Sequence, residues 1–247
     1  MQALSLFNLD ERTSHQQYQH SSLVSRESLR RLAWSVFMTD TQIDSGHYGM
    51  HTIDDEIFTI QLPCEERPFL IGVDTVTETI IPASRSSDNT SNLGLTAHLL
   101  RASLARRRVL HFATKLARSL IQNDLIEAGV KRVEQQMRVL LDSLPPQLSY
   151  SSAHFMVYRD QQPTLLALHA YRCIVEIAFG RLRMMANDRI PEWQGQTPQI
   201  RMDRIHHSIV LSRIFSDAAA HDVPIDPSLD AFVYVALEGT WDTGEAS

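Results

Sequence analysis

The chain has 247 residues, of which 43% are hydrophobic and 21% charged, and its formal net charge is −6. This composition excludes a wholly disordered chain, and the acidic balance argues against a dedicated nucleic-acid surface, which usually needs a basic face. A chain of this length can bury one sizeable core. With only 9 glycines available for turns, the sequence predicts an all-α fold rather than a β-rich one.

The first strong helical pattern starts near Ser25 or Ser28 and runs to about Ser45, with Ser25 as a candidate N-cap and Gly46 as a stop. Its apolar residues lie on more than one face, which predicts a central, buried helix. Asp40 falls in the middle of one apolar arc. An ionised carboxylate there needs a partner, so we expect an arginine from another helix or backbone N–H groups to face it. The other members of the arc are Leu29, Val36, Phe37 and Ile43.

Residues 47–81 form an irregular stretch. We expect Ile60, Leu62 and Phe69 to pin this stretch to the core as apolar anchors. Residues 82–92 are rich in Ser and Asn, and we interpret them as a flexible linker or surface loop. The sequence thus predicts one domain at 1–247, made of a signature helix and loop at 26–81, this linker, and C-terminal helices at 93–240.

The remainder of the chain shows apolar residues at helical spacing, and we expect almost no strand. Pro145 and Pro146 should stop one helix, and Pro163 suits the first turn of the next. The predicted helices span residues 95–121, 125–144, 165–185, 202–220 and 229–239.

One dense basic run lies in the first of these helices, where Arg101 is followed by Arg106, Arg107 and Arg108. Runs of charge on a helix usually face water. We therefore interpret the four arginines as a solvated face of the helix.

Few residues suggest metal binding. His47 and His51 have i, i+4 spacing, but the glycines around them argue against a helix, so we interpret them as a pair of loop histidines. The adjacent His206 and His207 point about 100° apart on a helix and suit surface or partly buried positions. The acidic turn at residues 54–56 lacks the spacing of a calcium loop and suits a turn or capping role.

Two cysteines, Cys64 and Cys173, cannot form a cysteine-based zinc site or a disulfide framework, so we expect free, partly buried thiols. No apolar run reaches about 18 residues, and no membrane contact is expected. Phosphate-binding glycine motifs and nucleophile motifs do not occur. We therefore predict that the chain is not an enzyme and holds no cofactor of its own.

Residues 27–40 read ESLRRLAWSVFMTD, which resembles the E-x-x-R-R-x-x-W-x-x-[FY]-x-x-D signature of the fungal-specific transcription factor domain, also called the middle homology region. The stretch from the acidic turn to Gly72 continues the resemblance. We expect the signature residues to be structural, with an ion-pair ladder available from Glu27 to the two arginines that follow it. They are Glu27, Arg30, Arg31, Trp34, Asp40, Leu62, Pro63, Cys64 and Phe69.

The resemblance implies an all-α, irregular multi-helix regulatory domain without the helices that the family normally has before Glu27. Family members usually carry a DNA-binding module, either a binuclear zinc cluster or zinc fingers, so zinc and DNA are expected only in a module that these residues do not include. The resemblance implies a nuclear fragment of a regulator of RNA polymerase II transcription, with protein partners and a small-molecule effector. The alternative is a stand-alone interaction protein, or a dominant-negative partner that forms a homodimer or pairs with a full-length regulator.

Overall fold

A computed structural model of the chain describes residues 23–43, 52–55, 58–82 and 93–224. Within these ranges the chain forms seven α-helices and three short 3-10 segments but no β-strand, which confirms the predicted all-α fold. The 3-10 segments are Pro146–Leu148, Arg159–Gln161 and Pro191–Gln196. The helices are α1 (Leu23–Ile43), α2 (Glu66–Leu70), α3 (Leu95–Ala117), α4 (Asn123–Leu141), α5 (Ser152–Val157), α6 (Gln162–Asn187) and α7 (Thr197–Ala220).

Helix α6 lies at the centre of the fold, where it packs against α3, α4 and α7. It is apolar around most of its circumference, as expected of a helix covered on several sides. Leu168 is 1% exposed, and burial of such a side chain contributes about 1.5–3 kcal/mol. Gly180 allows α7 to approach closely, because a Cβ there would lie 2.5 Å from Cγ of Arg204.

Helix α1 buries one face and exposes another, so the prediction of a helix buried on several sides is wrong in part. Trp34 and Phe37 are buried against Phe58, with the Trp34 and Phe58 ring centroids 4.5 Å apart. In contrast, Val36 is 48% exposed, so it does not form a buried arc with Asp40 as predicted. Ser25 lies inside the helix instead of capping it, because the helix already includes Leu23.

The later helices match their predicted positions, with differences at the ends. Helix α3 ends at Ala117 and α4 at Leu141, each a few residues before the predicted limit. Helix α7 begins at Thr197, five residues earlier than predicted, because Pro198 is accommodated in its first turn. Pro163 occupies the first turn of α6, as predicted.

Several predictions concern residues outside the described ranges. These are the helix stop at Gly46, the pair His47 and His51, Glu56, residues 83–92 of the linker, and the last helix at 229–239. The division of the chain into 26–81, 82–92 and 93–240 stays a prediction. Among the helices that the structure describes, none has the length and apolar content to cross a lipid bilayer.

Candidate functional site: a connecting segment held by two helices

The described residues 52–55 and 58–80, here called the connecting segment, join α1 to α3. Ile60 and Leu62 are 1% and 0% exposed, which confirms that they pin the segment to the core. Phe58 is a third buried anchor, which the sequence analysis did not single out. Phe69 is half-buried, and its ring lies 4.1 Å from the Arg31 guanidinium. The segment is therefore attached to the core by several separate anchors.

The carboxylate of Glu27 accepts hydrogen bonds from two arginines of α1 and from the connecting segment. Its Oε2 accepts a hydrogen bond from Arg30 at 2.6 Å, and its Oε1 accepts one from Arg31 at 3.0 Å. Oε1 also accepts the backbone N–H of Cys64 at 3.1 Å. These contacts confirm the predicted ion-pair ladder. They also satisfy a carboxylate that is only 6% exposed, and burying it without partners would be costly.

Arg31 extends this group to the far side of the segment. It donates to Glu66 at 2.6 Å and to the carbonyl oxygen of Cys64 at 3.1 Å. Burial alone would lower the pKa of Arg31, but the hydrogen bonds and charges of Glu66 and Glu27 raise it above its ordinary value. Arg31 is therefore a cation that holds α2 and the Cys64 backbone against α1.

Gln61 is contacted by two further signature residues. Arg30 donates to its side-chain oxygen at 3.2 Å, and the indole N–H of Trp34 donates to its backbone oxygen at 2.8 Å. Because a buried indole N–H needs an acceptor, the backbone position of Gln61 is set by Trp34. Signature residues on α1 thus recognise the Leu62-Pro63-Cys64 run mainly through the backbone around it.

Asp40 has the partners that the sequence analysis predicted. Its two carboxylate oxygens accept the backbone N–H groups of Thr52 and Ile53 at 3.0 and 3.1 Å. Arg107 of α3 lies 3.4 Å from the same carboxylate, and it also donates to the Ile53 carbonyl oxygen. The guanidinium of Arg107 lies 5.3 Å from the centre of the Phe37 ring. Asp40 thus links the end of α1 to the segment and to α3.

The basic run on α3 is mostly buried, so the prediction of a solvated face is wrong. Arg101 is 0% exposed and donates to Glu78 at 2.7 Å. Arg106 and Arg107 are buried as well, while Arg108 is half-buried. The physical reason is that the connecting segment and the end of α1 pack against this face of α3. Together they supply the carboxylates and carbonyl groups that the arginines need.

The arginines of the basic run make further contacts with the connecting segment. Arg101 also donates to the Ile80 carbonyl oxygen at 3.2 Å, and Arg108 donates to Asp55 at 2.7 Å. Burial lowers the pKa of Arg101, and the hydrogen bond and charge of Glu78 oppose that effect. Asp55 of the acidic turn is therefore an ion-pair partner of α3, which agrees with a structural role for the turn.

The site offers little room or chemistry for a ligand. A cleft beside Glu27, Arg30 and Cys64 has a volume of about 30 Å³, which holds no more than a few water molecules. Within the described part of the chain, no three His, Cys, Asp or Glu side chains are placed to hold a metal ion. The charged groups of the site instead contact one another, which makes it an arrangement that holds the segment in place.

The thiols and the histidine pair lie where the sequence predicted. Cys64 and Cys173 are both free and buried. Burial raises the pKa of Cys173 to about 12, and burial followed by the charge of Glu27 raises that of Cys64, so both remain protonated at neutral pH. His206 is exposed and His207 half-buried.

Two buried histidines were not anticipated from the sequence. His98 on α3 is 4% exposed, and burial lowers its pKa to about 3, helped by the nearby charges of Arg101 and Arg172. His169 on α6 is 7% exposed, and burial lowers its pKa to about 4. Nε2 of His169 lies 2.9 Å from the Leu148 carbonyl oxygen, so this nitrogen carries the proton. Both histidines lie at helical spacing from apolar residues, and this spacing could have predicted their burial.

The fold and the site define an all-α domain in which helices α1 and α3 hold a long connecting segment through buried ion pairs. The sequence matches the fungal specific transcription factor domain over residues 3–167, and the chain belongs to that family. The matched range includes α1, the connecting segment and α3. This confirms the resemblance that residues 27–72 carried.

One relative is the Zn(2)-C6 fungal-type transcription factor FTF1c of Fusarium oxysporum f. sp. lycopersici, which is 26% identical over 165 residues. The alignment covers 62% of this chain and 18% of the relative. The chain therefore spans less than a fifth of that protein's length. No solved structure matches the chain.

Proposed function

We propose that the chain is a regulatory domain of a fungal transcription factor, which acts in the nucleus to control transcription by RNA polymerase II. Membership of the family supports this, and so does the similarity to a relative described as a zinc-cluster transcription factor. The observation that carries the proposal is the pairing of Glu27, Arg31 and Asp40 with the connecting segment. These contacts favour a conformational, non-catalytic role.

DNA reading, in this proposal, belongs to a module outside these 247 residues. The sequence has only 2 cysteines, whereas a six-cysteine zinc cluster needs six, and its net charge of −6 disfavours a phosphate-binding surface. The buried position of Arg101 and Arg107 supports this further, because neither can reach a phosphate backbone. We expect the chain alone to give no sequence-selective shift in a gel-retardation assay.

Protein partners are supported by the outward face of α1. On a helical wheel at about 100° per residue, the exposed side chains of this face form one arc without a charged residue. Interface centres are similarly depleted of charge. We propose that another protein covers this arc, either a second copy of the chain or a full-length regulator. Its members are Val24, Ser25, Ser28, Leu32, Ser35, Val36 and Thr39.

The proposal also includes a small-molecule effector. The cleft beside Glu27 and Cys64, at about 30 Å³, is too small for a metabolite without movement of the connecting segment. A metabolite screen by thermal shift would support an effector only if one compound raised the melting temperature in a concentration-dependent way.

A reporter assay tests the regulatory role. The chain is inserted between a heterologous DNA-binding domain and a strong activation domain, and reporter output in a fungal nucleus is compared with the same fusion without the chain. We expect the insert to lower output. A folded, nuclear fusion with unchanged output would contradict the proposal.

A matched pair of variants tests the role of the α1 face in the same assay. Val36 on α1 and Val139 on α4 are 48% and 46% exposed. An aspartate at Val139, which lies in the last turn of α4 and faces the negative end of its dipole, costs at least as much stability as one at Val36. We expect Val36→Asp to relieve the repression and Val139→Asp to leave it unchanged. Equal effects of the two variants would argue against a partner on α1.

A further inference from the structure

The end of helix α3 carries a serine in a backbone conformation that serines rarely adopt. Ser119 has a φ of 54°, in the left-handed region where helices usually place glycine. Its N–H donates to the Leu116 carbonyl oxygen at 3.0 Å, and the next N–H donates to that of Lys115 at 3.0 Å, which is the Schellman end of a helix. Because the Cβ is strained there, the presence of a hydroxyl at this position suggests a use for it.

The hydroxyl of Ser119 faces a cation from a distant part of the chain. Nη2 of Arg189, in the turn after α6, donates to Oγ of Ser119 at 3.3 Å. Ser119 is exposed, as are Lys115 on the last turn of α3 and Arg118, which directly follows the helix. Across the described ranges, neither Arg189 nor Lys115 nor Arg118 forms an ion pair with a carboxylate. The accessible hydroxyl of Ser119 therefore contacts one cation, Arg189, and two further exposed cations lie four positions and one position before it in the chain.

We propose that Ser119 is a phosphorylation site, and that Arg189, Arg118 and Lys115 hold the resulting phosphoserine. The phosphoryl donor is a nucleoside triphosphate bound to a protein kinase. Oγ of Ser119 attacks the γ-phosphorus, the bond from that phosphorus to the β–γ bridging oxygen breaks, and the nucleoside diphosphate leaves. The hydroxyl proton passes to a base of the kinase.

The balance of charges around a phosphorylated Ser119 determines whether the phosphate stabilises the fold. A phosphoserine carries a charge of about −1.5 to −2 at neutral pH, which offsets most of the three positive charges around Ser119. The C-terminal end of α3 opposes an anion with only about half a charge, and the last-turn carbonyl groups of Leu116 and Lys115 already accept hydrogen bonds. Attraction therefore exceeds repulsion. The phosphate fastens the turn between α3 and α4 to the turn after α6.

Genetically encoded phosphoserine at position 119 of the full chain tests the structural consequence. We expect the melting temperature to rise by about 2–4 °C at low ionic strength, and this gain to shrink by half or more in 1 M NaCl. In an Arg189→Gln background the gain should be at most half as large. An unchanged or lower melting temperature, or an equal gain without Arg189, would overturn the proposal.

Two further measurements separate an ion pair from a local steric effect. In a phosphorus-31 titration, we expect the second phosphate pKa to lie below its ordinary value of about 6, and to return toward it in Arg189→Gln. We also expect a panel of basophilic serine kinases with ATP to label Ser119 of the folded chain, as mapped by mass spectrometry, and not to label Ser119→Ala at that peptide. Labelling confined to other serines would count against the site.

Discussion

Glu27 and Cys64 lie 37 positions apart, yet Oε1 of Glu27 accepts the backbone N–H of Cys64 at 3.1 Å. Arg31 completes the contact by donating to the carbonyl oxygen of Cys64 at 3.1 Å. The two signature residues on α1 therefore bind both backbone polar groups of one residue in the connecting segment. Because both backbone polar groups of Cys64 are bound, the spacing of Glu27 and Arg31 on α1 sets where the segment lies.

The Glu27 network should be a main source of stability. Glu27→Gln keeps the shape of the side chain but removes the charge that Arg30 and Arg31 need, so we expect a loss of about 2–3 kcal/mol of unfolding free energy. Glu127 is the matched control, because it also forms an i, i+4 pair but on an exposed surface with Lys131. Glu127→Gln should cost at most about 0.5 kcal/mol. Chemical denaturation measures both, and equal losses would contradict the buried role of Glu27.

Asp40 gives a second test of the same architecture. Asp40→Ala leaves Arg107 and two backbone N–H groups without their acceptor, and we expect a loss of about 3–5 kcal/mol. Asp74→Ala breaks an exposed pair with Arg26 and should cost about 0–1 kcal/mol. A melting temperature of Asp40→Ala that matches the wild-type chain would show that the carboxylate is not needed.

Buried histidines should make stability depend on pH. The pKa of His169 is lowered to about 4 in the folded state, below its ordinary value of 6.5. Between about pH 4 and pH 6.5 the unfolded chain therefore binds more protons than the folded chain. The stabilisation is complete above about pH 6.5 and is lost as the pH falls toward 4, by about 3 kcal/mol for this residue. His98, with a pKa of about 3, adds to the same slope.

Urea denaturation at several pH values between 7 and 4 measures this dependence. His169→Gln can keep a donor to the Leu148 carbonyl oxygen without titrating, so its stability should fall less between pH 6.5 and 4 than that of the wild-type chain. His206→Gln serves as the control because His206 is exposed. If His169→Gln and wild-type curves had the same slope, His169 would not be the titrating group.

Relief of backbone strain should stabilise the end of α3. Ser119→Gly removes the Cβ from a left-handed residue, and after the entropic cost of glycine we expect a gain of about 0.5–1 kcal/mol. Ser212→Gly on the exposed side of α7 has no such strain to relieve and should lose about 0.5 kcal/mol. Thermal unfolding distinguishes the two, and a loss at both positions would contradict the strain at Ser119.

Local sequence patterns were sufficient for the helices and the family. Helical spacing and the positions of Pro145 and Pro163 depend on neighbours within a few residues, so α3, α4, α6 and α7 were predicted to within about five positions. The need of Asp40 for a partner was also predictable, because a carboxylate in an apolar surrounding must be neutralised or hydrogen-bonded. Which groups would supply it was left open between an arginine and backbone N–H groups.

Which charges are buried could not be read from spacing along α3. Arg101 meets Glu78, 23 positions earlier, and Arg107 meets Asp40, 67 positions earlier. A helical wheel shows only the neighbours within one helix, so it treats an arginine run as solvated whether or not another segment crosses it. Residues 27–72 were enough to identify the family. The burial of Arg101 and Arg107, in contrast, arises only when the connecting segment and the end of α1 pack across α3 and replace water as hydrogen-bond partners.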